Sequence, residues 1–245
     1  MRRRFLLAAM AAALLNLPSA ALAAPQSEDW TGIWTRVGSF SFDPSIPPQQ
    51  RENPPYRPDW QARYEEALAS AERGQFTADP TAACLPPGMP RLMNMVYPME
   101  IIQKPKQMTI VAEWASQVRR IFLDGRTHPS DLDPTFNGHS IGHWEGKTLV
   151  VDTVSLRGDT VFDQSGIRHS DRLHLIERFT LVKPDTLELD LTADDPVAFY
   201  KPWTVKKTYK RAPATQMMEY VCEENNRNPV GPDGVVQTIL KGSGK

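Results

Sequence analysis

Downstream of Met93 the chain alternates apolar and polar residues in short runs separated by turn-forming residues. Met108, Ile110, Ala112 and Trp114 alternate with Gln107, Thr109, Val111 and Glu113, the period-two pattern of a strand with one buried face. A second run from Val118 through Phe122 ends at Asp124-Gly125. Ile141 to Trp144, the turn Glu145-Gly146-Lys147 and Thr148 to Val154 predict a hairpin. Arg172 to Val182, the turn Lys183-Pro184-Asp185 and Thr186 to Ala193 predict another. Trp203 to Arg211 and Met217 to Cys222 complete the set.

Helical periodicity occurs once. Trp60, Tyr64, Ala67, Leu68 and Ala71 share a face, with Asp59 as N-cap and Gly74 as terminator, predicting a helix over 59–74. Before it, Pro44, Pro47, Pro48, Pro54, Pro55 and Pro58 predict an extended arm, because proline lacks an amide donor and resists helix and central strand. Consecutive strands joined by turns, with one helix, predict a mainly β fold: an antiparallel up-and-down β-barrel with an N-terminal helix and a proline-rich arm. The expected organisation is a leader over 1–23, a first strand and arm over 24–58, the helix, a barrel core over 75–224 and an irregular tail over 225–245. Residues 24–245 are expected to form one domain.

Arg2-Arg3-Arg4, the apolar run Phe5 to Leu17 and Ala21-Leu22-Ala23 predict a cleaved export signal, and the arginines also fit the twin-arginine pattern. Cleavage leaves 25 basic and 29 acidic residues, a net charge near −4. That balance gives no reason to expect nucleic acid or an anionic membrane as partner. The only two cysteines, Cys84 and Cys222, are expected to pair in an oxidising compartment. A periplasmic or secreted protein follows, and its oligomeric state is left open.

Gly32-Ile33-Trp34 resembles the GxW of lipocalins and related calycins, which implies a barrel with an internal pocket and a tryptophan on the first strand plugging one end. The proline arm and the 59–73 helix depart from that family. Gly138 to Thr153 (GHSIGHWEGKTLVVDT), with Leu123 to Pro129 before it and Arg168 to Arg178 after it, resembles an uncharacterised family of exported bacterial proteins. That resemblance spans about Cys84 to Cys222 and implies no reaction.

All five histidines, His128, His139, His143, His169 and His174, fall within 47 residues that are also rich in carboxylates. Imidazole beside carboxylate suits proton transfer near neutral pH. If Trp144 pairs with Thr148, then His139, Ile141, His143, Leu149, Val151 and Thr153 share an inward face, with Asp152 opposite. On the next strand Leu173, Leu175, Glu177, Phe179 and Leu181 alternate with polar residues, placing Glu177 on an apolar face. Such a carboxylate is either functional or part of a buried ion pair, for which Arg120 or the neighbours of Arg178 are candidates.

These placements lead to an exported, cofactor-independent lyase, isomerase or hydratase acting on a small hydrophobic or aromatic molecule. His139 would be the acid or base and Glu177 its orienter or second proton carrier. His169, His128 and Asp124 would stand near the mouth; Thr153, His143, Ile141, Phe179 and Trp144 would contact substrate. The alternatives are a periplasmic carrier of a small ligand and a metal- or haem-binding barrel. No GxSxG, HExxH, phosphate loop or CxxCH motif occurs. His139 and His143 on one strand would stand about 13 Å apart, too far to share an ion, so neither metal nor cofactor is expected.

Overall fold

The computed structural model describes residues 28–38, 50–75 and 79–222. The expected leader, the expected tail and Pro44, Pro47 and Pro48 of the arm lie outside the described residues. Nine strands close into a barrel in sequence order: β1 Gly32–Val37, β2 Met99–Lys104, β3 Gln107–Ala112, β4 Gln117–Phe122, β5 His139–Glu145, β6 Thr148–Val154, β7 His174–Lys183, β8 Thr186–Asp194 and β9 Trp203–Arg211. β9 returns to pair with β1 and closes the ring. The expected up-and-down order and the single long helix, α1 (Pro58–Glu72), are both present.

Three features differ from expectation. The β4–β5 pair is parallel and covers only Ile121↔Ser140 and Phe122↔Ile141, because the 123–138 connection crosses back along the barrel before β5 starts. Met217 to Cys222 forms no strand; β9 already pairs with both β8 and β1, so no open edge is left for it. α1 begins at Pro58, which leaves Asp59 within the first turn and not as its cap.

The barrel interior is a packed core. Trp34, Ile121, Val151, Leu175, Leu187, Leu189 and Leu191 are wholly inaccessible to solvent, and Met108, Leu149 and Val205 nearly so. Inward positions recur every second residue along each strand, so these side chains meet inside the ring. Their burial removes apolar surface from water at about 25 cal/mol per Å², the main force holding the ring closed.

Aromatic residues seal both ends. Trp30 meets Trp144 edge-on at 5.0 Å and Phe179 at 6.5 Å. Trp34, the tryptophan of the GxW, donates to the Trp30 carbonyl at 2.9 Å and lies under the Arg211 guanidinium. At the other end Phe162 packs on Phe199 and Trp203. Tyr56 packs on Phe199, and the α1 residues Trp60 and Tyr64 pack on Tyr56, so the predicted apolar face of the helix covers this end of the barrel through Tyr56.

Cys84 and Cys222 form the expected disulfide, closing a loop of 138 residues from the first short 3-10 turn to the segment after β9. The loop-entropy model assigns such a link about 3–5 kcal/mol. Chemical denaturation of Cys84→Ser/Cys222→Ser should show a loss in that range with a native circular dichroism spectrum; unchanged stability would contradict it.

Candidate functional site

The first hairpin determines which chemistry faces outward. Glu145 pairs with Thr148 around Gly146-Lys147, a two-residue turn with Gly146 at φ +60°, the left-handed conformation that short hairpins favour. The expected three-residue turn is therefore one residue too long. A one-residue slip sends every side chain to the other face. Ser140, Trp144, Leu149, Val151 and Thr153 point inward, and His139, Ile141, His143 and Asp152 point outward.

His139 and Glu177 consequently lie on opposite sides of the sheet, and the pair expected to share a cavity does not. Glu177 is inward as predicted, between Val151 and Leu191, with no exposure. Its partner is Arg119 of β4, not Arg120, since Arg119 alternates in phase with the buried Ile121. Arg119 grips both carboxylate oxygens, with Nη1 donating to Oε1 at 2.9 Å. The same guanidinium donates to Thr153 Oγ1 at 3.0 Å and Ser140 Oγ at 3.2 Å, and these two hydroxyls are 2.9 Å apart. Every charge in this cluster has a hydrogen-bonding partner, which is the condition for an ion pair to persist in a dry core.

The other expected site residues scatter. Phe179 is core and Trp144 packs on Trp30. His143 is exposed beside Glu145. Asp124 pairs with Arg126, which lowers its pKa to about 2. His169 is completely buried: Nδ1 lies 2.8 Å from the Ser170 carbonyl and Nε2 2.7 Å from Thr160 Oγ1. A carbonyl only accepts, so Nδ1 carries the proton and Nε2 accepts from the threonine hydroxyl. Burial lowers the pKa of His169.

The outer face gathers four residues that the sequence did not group. Asp152 Oδ1 lies 3.1 Å from His128 Nε2 and 2.8 Å from His174 Nε2, and His128 Nδ1 lies 2.7 Å from His139 Nδ1. The ionised Asp152 accepts from both rings, which fixes the proton of His128 on Nε2. Its Nδ1 is then a lone pair that accepts from His139 Nδ1–H, leaving Nε2 of His139 unprotonated. Asp152 is held below the usual carboxylate range, first by its hydrogen bond from His174, and His174 is raised first by Asp152. His139 is lowered by partial burial, then by His128 and Arg126.

His139 borders a crevice of about 350 Å³ through the wall. Gln117 to Arg120 of β4 have no strand partner on the β5 side, where Asn137 Nδ2 donates to the Val118 carbonyl at 3.4 Å. Val118, Phe122, Phe136 and Asn137 line the gap together with Arg120 and His139. Phe122 stacks on His139 at 5.4 Å and carries the Arg126 guanidinium on its ring. Gly138 makes the turn into β5 at φ +63°, and a Cβ there would meet the Val154 carbonyl at 2.5 Å. Glycine is obligatory at this position. Among the described residues, no group of three or more His, Cys, Asp or Glu side chains is arranged to hold a metal ion.

No family model and no curated protein matches the chain. Among solved structures, it is similar to a crystal structure of a mutant of the fluorescent protein UnaG, at 16% identity over 76% of this chain and 97% of that one, with a TM-score of 0.36. That likeness is too remote to bear on function.

Two predictions follow from these burials. Glu177→Gln should cost about 3–5 kcal/mol of folding stability by stranding a buried guanidinium, whereas Arg119→Met/Glu177→Leu should regain most of that loss. Urea titration of both variants checks this; a fully stable Glu177→Gln protein would exclude it. His169 takes up a proton less readily folded than unfolded, so stability should fall as pH drops below about 6.5, where the unfolded histidine charges. His174, with its raised pKa, works in the opposite sense but is half-exposed. Urea midpoints at pH 7.5 and 5.5 should diverge less in His169→Asn than in the wild type; equal divergence would remove His169 as the cause.

Proposed function

We propose that this barrel binds a small molecule in the β4–β5 crevice and that His139 exchanges a proton with it. The chain Asp152–His128–His139 carries the reading: a carboxylate orders one imidazole, which orders a second, and that second residue borders the crevice. An ordered imidazole suits general acid–base steps such as elimination, hydration or isomerisation. As His139 takes the proton on Nε2, its Nδ1–H stays donated to His128, and Asp152 stabilises the charge shared along the chain. His174 holds the far side of Asp152 and acts as a positioning residue. None of these steps requires a group beyond the chain's own residues.

Export to an oxidising compartment belongs to the same reading. It is supported by the Cys84–Cys222 disulfide; among the described residues no helix is long and apolar enough to cross a membrane. A carrier without catalysis is the second reading, favoured by the location of the crevice in the wall, open to solvent on the outer face.

A fragment screen by NMR should find ligands that shift the Phe122, Phe136 and His139 signals. For a catalysed ligand, deuterium incorporation from D₂O or turnover should fall by about 10²–10⁴ in His139→Gln while affinity stays within about threefold. Asp152→Asn should lower the rate and alter the tautomer ratio of His139 in ¹⁵N spectra. A ligand that binds the wild type but is neither exchanged nor converted would make the protein a carrier.

A further inference from the structure

We propose that the crevice is selective for a flat aromatic carboxylate, anchored through its anionic group by Arg120; this rests on the crevice being a ligand site. The register Ile121↔Ser140 sets Arg120 directly across from His139 on the outer face of the parallel pair. Arg120 is exposed, and among the described residues it has no salt bridge. Its neighbours around the same gap differ. Arg119 is bound to Glu177, Arg126 to Asp124 and Arg157 to Asp159. Of the guanidinium groups around this opening, Arg120 alone still has its fork available to a ligand.

The lining itself selects charge and shape. It contains arginine and histidine but no aspartate or glutamate, so a cation has no counter-charge there and an anion does. Val118, Phe122 and Phe136 supply apolar wall. Arg126 lies 3.8 Å over the Phe122 ring and Arg157 4.5 Å over the Phe136 ring, so each ring carries a positive charge on one face. A volume of about 350 Å³ sits at the small end of ligand sites and admits one or two fused rings. A planar guanidinium matches a carboxylate with two parallel hydrogen bonds, which a neutral isostere cannot reproduce. A ring acid held this way has its substituents beside His139 Nε2.

Calorimetric titration with 2-naphthoate and its neutral analogue 2-naphthalenemethanol tests the selectivity, with Phe122 and His139 amide shifts reporting the place of binding. The acid should bind about tenfold more tightly than the alcohol or better. Arg120→Gln should abolish that preference and leave alcohol affinity within about twofold, and Arg120→Lys should retain part of it. Because Arg120 is exposed, both variants should keep the wild-type melting temperature. Equal affinity for acid and alcohol, or an undiminished preference in Arg120→Gln, would overturn the anionic selectivity while leaving the crevice as a ligand site. Failure of both probes to shift Phe122 and His139 would overturn the crevice reading and this inference with it.

Discussion

Inside the barrel, the guanidinium of Arg119 reaches from β4 to Ser140 on β5, Thr153 on β6 and Glu177 on β7. It does so at the place where the sheet is weakest. β4 and β5 share two residue pairs, whereas the other neighbouring strands share between three and nine. A ring of strands needs every seam closed to remove its edges, and this seam has little backbone hydrogen bonding with which to close. The ion pair and its two hydroxyls supply a side-chain bridge behind it. The same feature that weakens the wall creates the crevice, so the buried cluster and the candidate site have one origin.

The apolar core limits where titratable side chains can lie. A core of buried leucine, isoleucine, valine and aromatic side chains excludes unpaired charge. Glu177 tolerates burial through Arg119, and His169 tolerates it by remaining neutral between Thr160 and the Ser170 carbonyl. The titratable groups left to exchange protons with solvent are on the outer face. There Asp152 stands two residues along β6 from Val154, the partner of His139, and accepts from His174 of β7, and the 123–138 crossover lays His128 between His139 and Asp152. An arrangement with alternating donors and acceptors assigns each ring its tautomer, which isolated surface histidines lack.

Much of the scaffold is encoded locally. Period-two alternation from Met108 onward marks the strands, the 60–71 apolar face marks the helix, and the only two cysteines mark the disulfide. The alternation along β7 places Glu177 inside, and the excess of histidine between 128 and 174 points to the region of the relay. The hairpin shows the limit of this logic. Glu145-Gly146-Lys147 is compatible with turns of two or three residues, and the difference of one residue decides whether His139 or Ser140 faces the core.

What the sequence determined by itself is therefore the set of elements, their inward and outward periodicity where a strand is strongly apolar, and the neighbourhood of the chemistry. Tertiary structure alone decided the partnerships. Arg119 is 58 residues from Glu177 and His128 is 24 from Asp152, and no local propensity encodes such distances. The parallel β4–β5 seam arises from how the 123–138 connection crosses the barrel, which depends on closure of the whole ring. Strand periodicity is a property of a few consecutive residues, whereas register, seam and tautomer are fixed only when distant strands pack against one another.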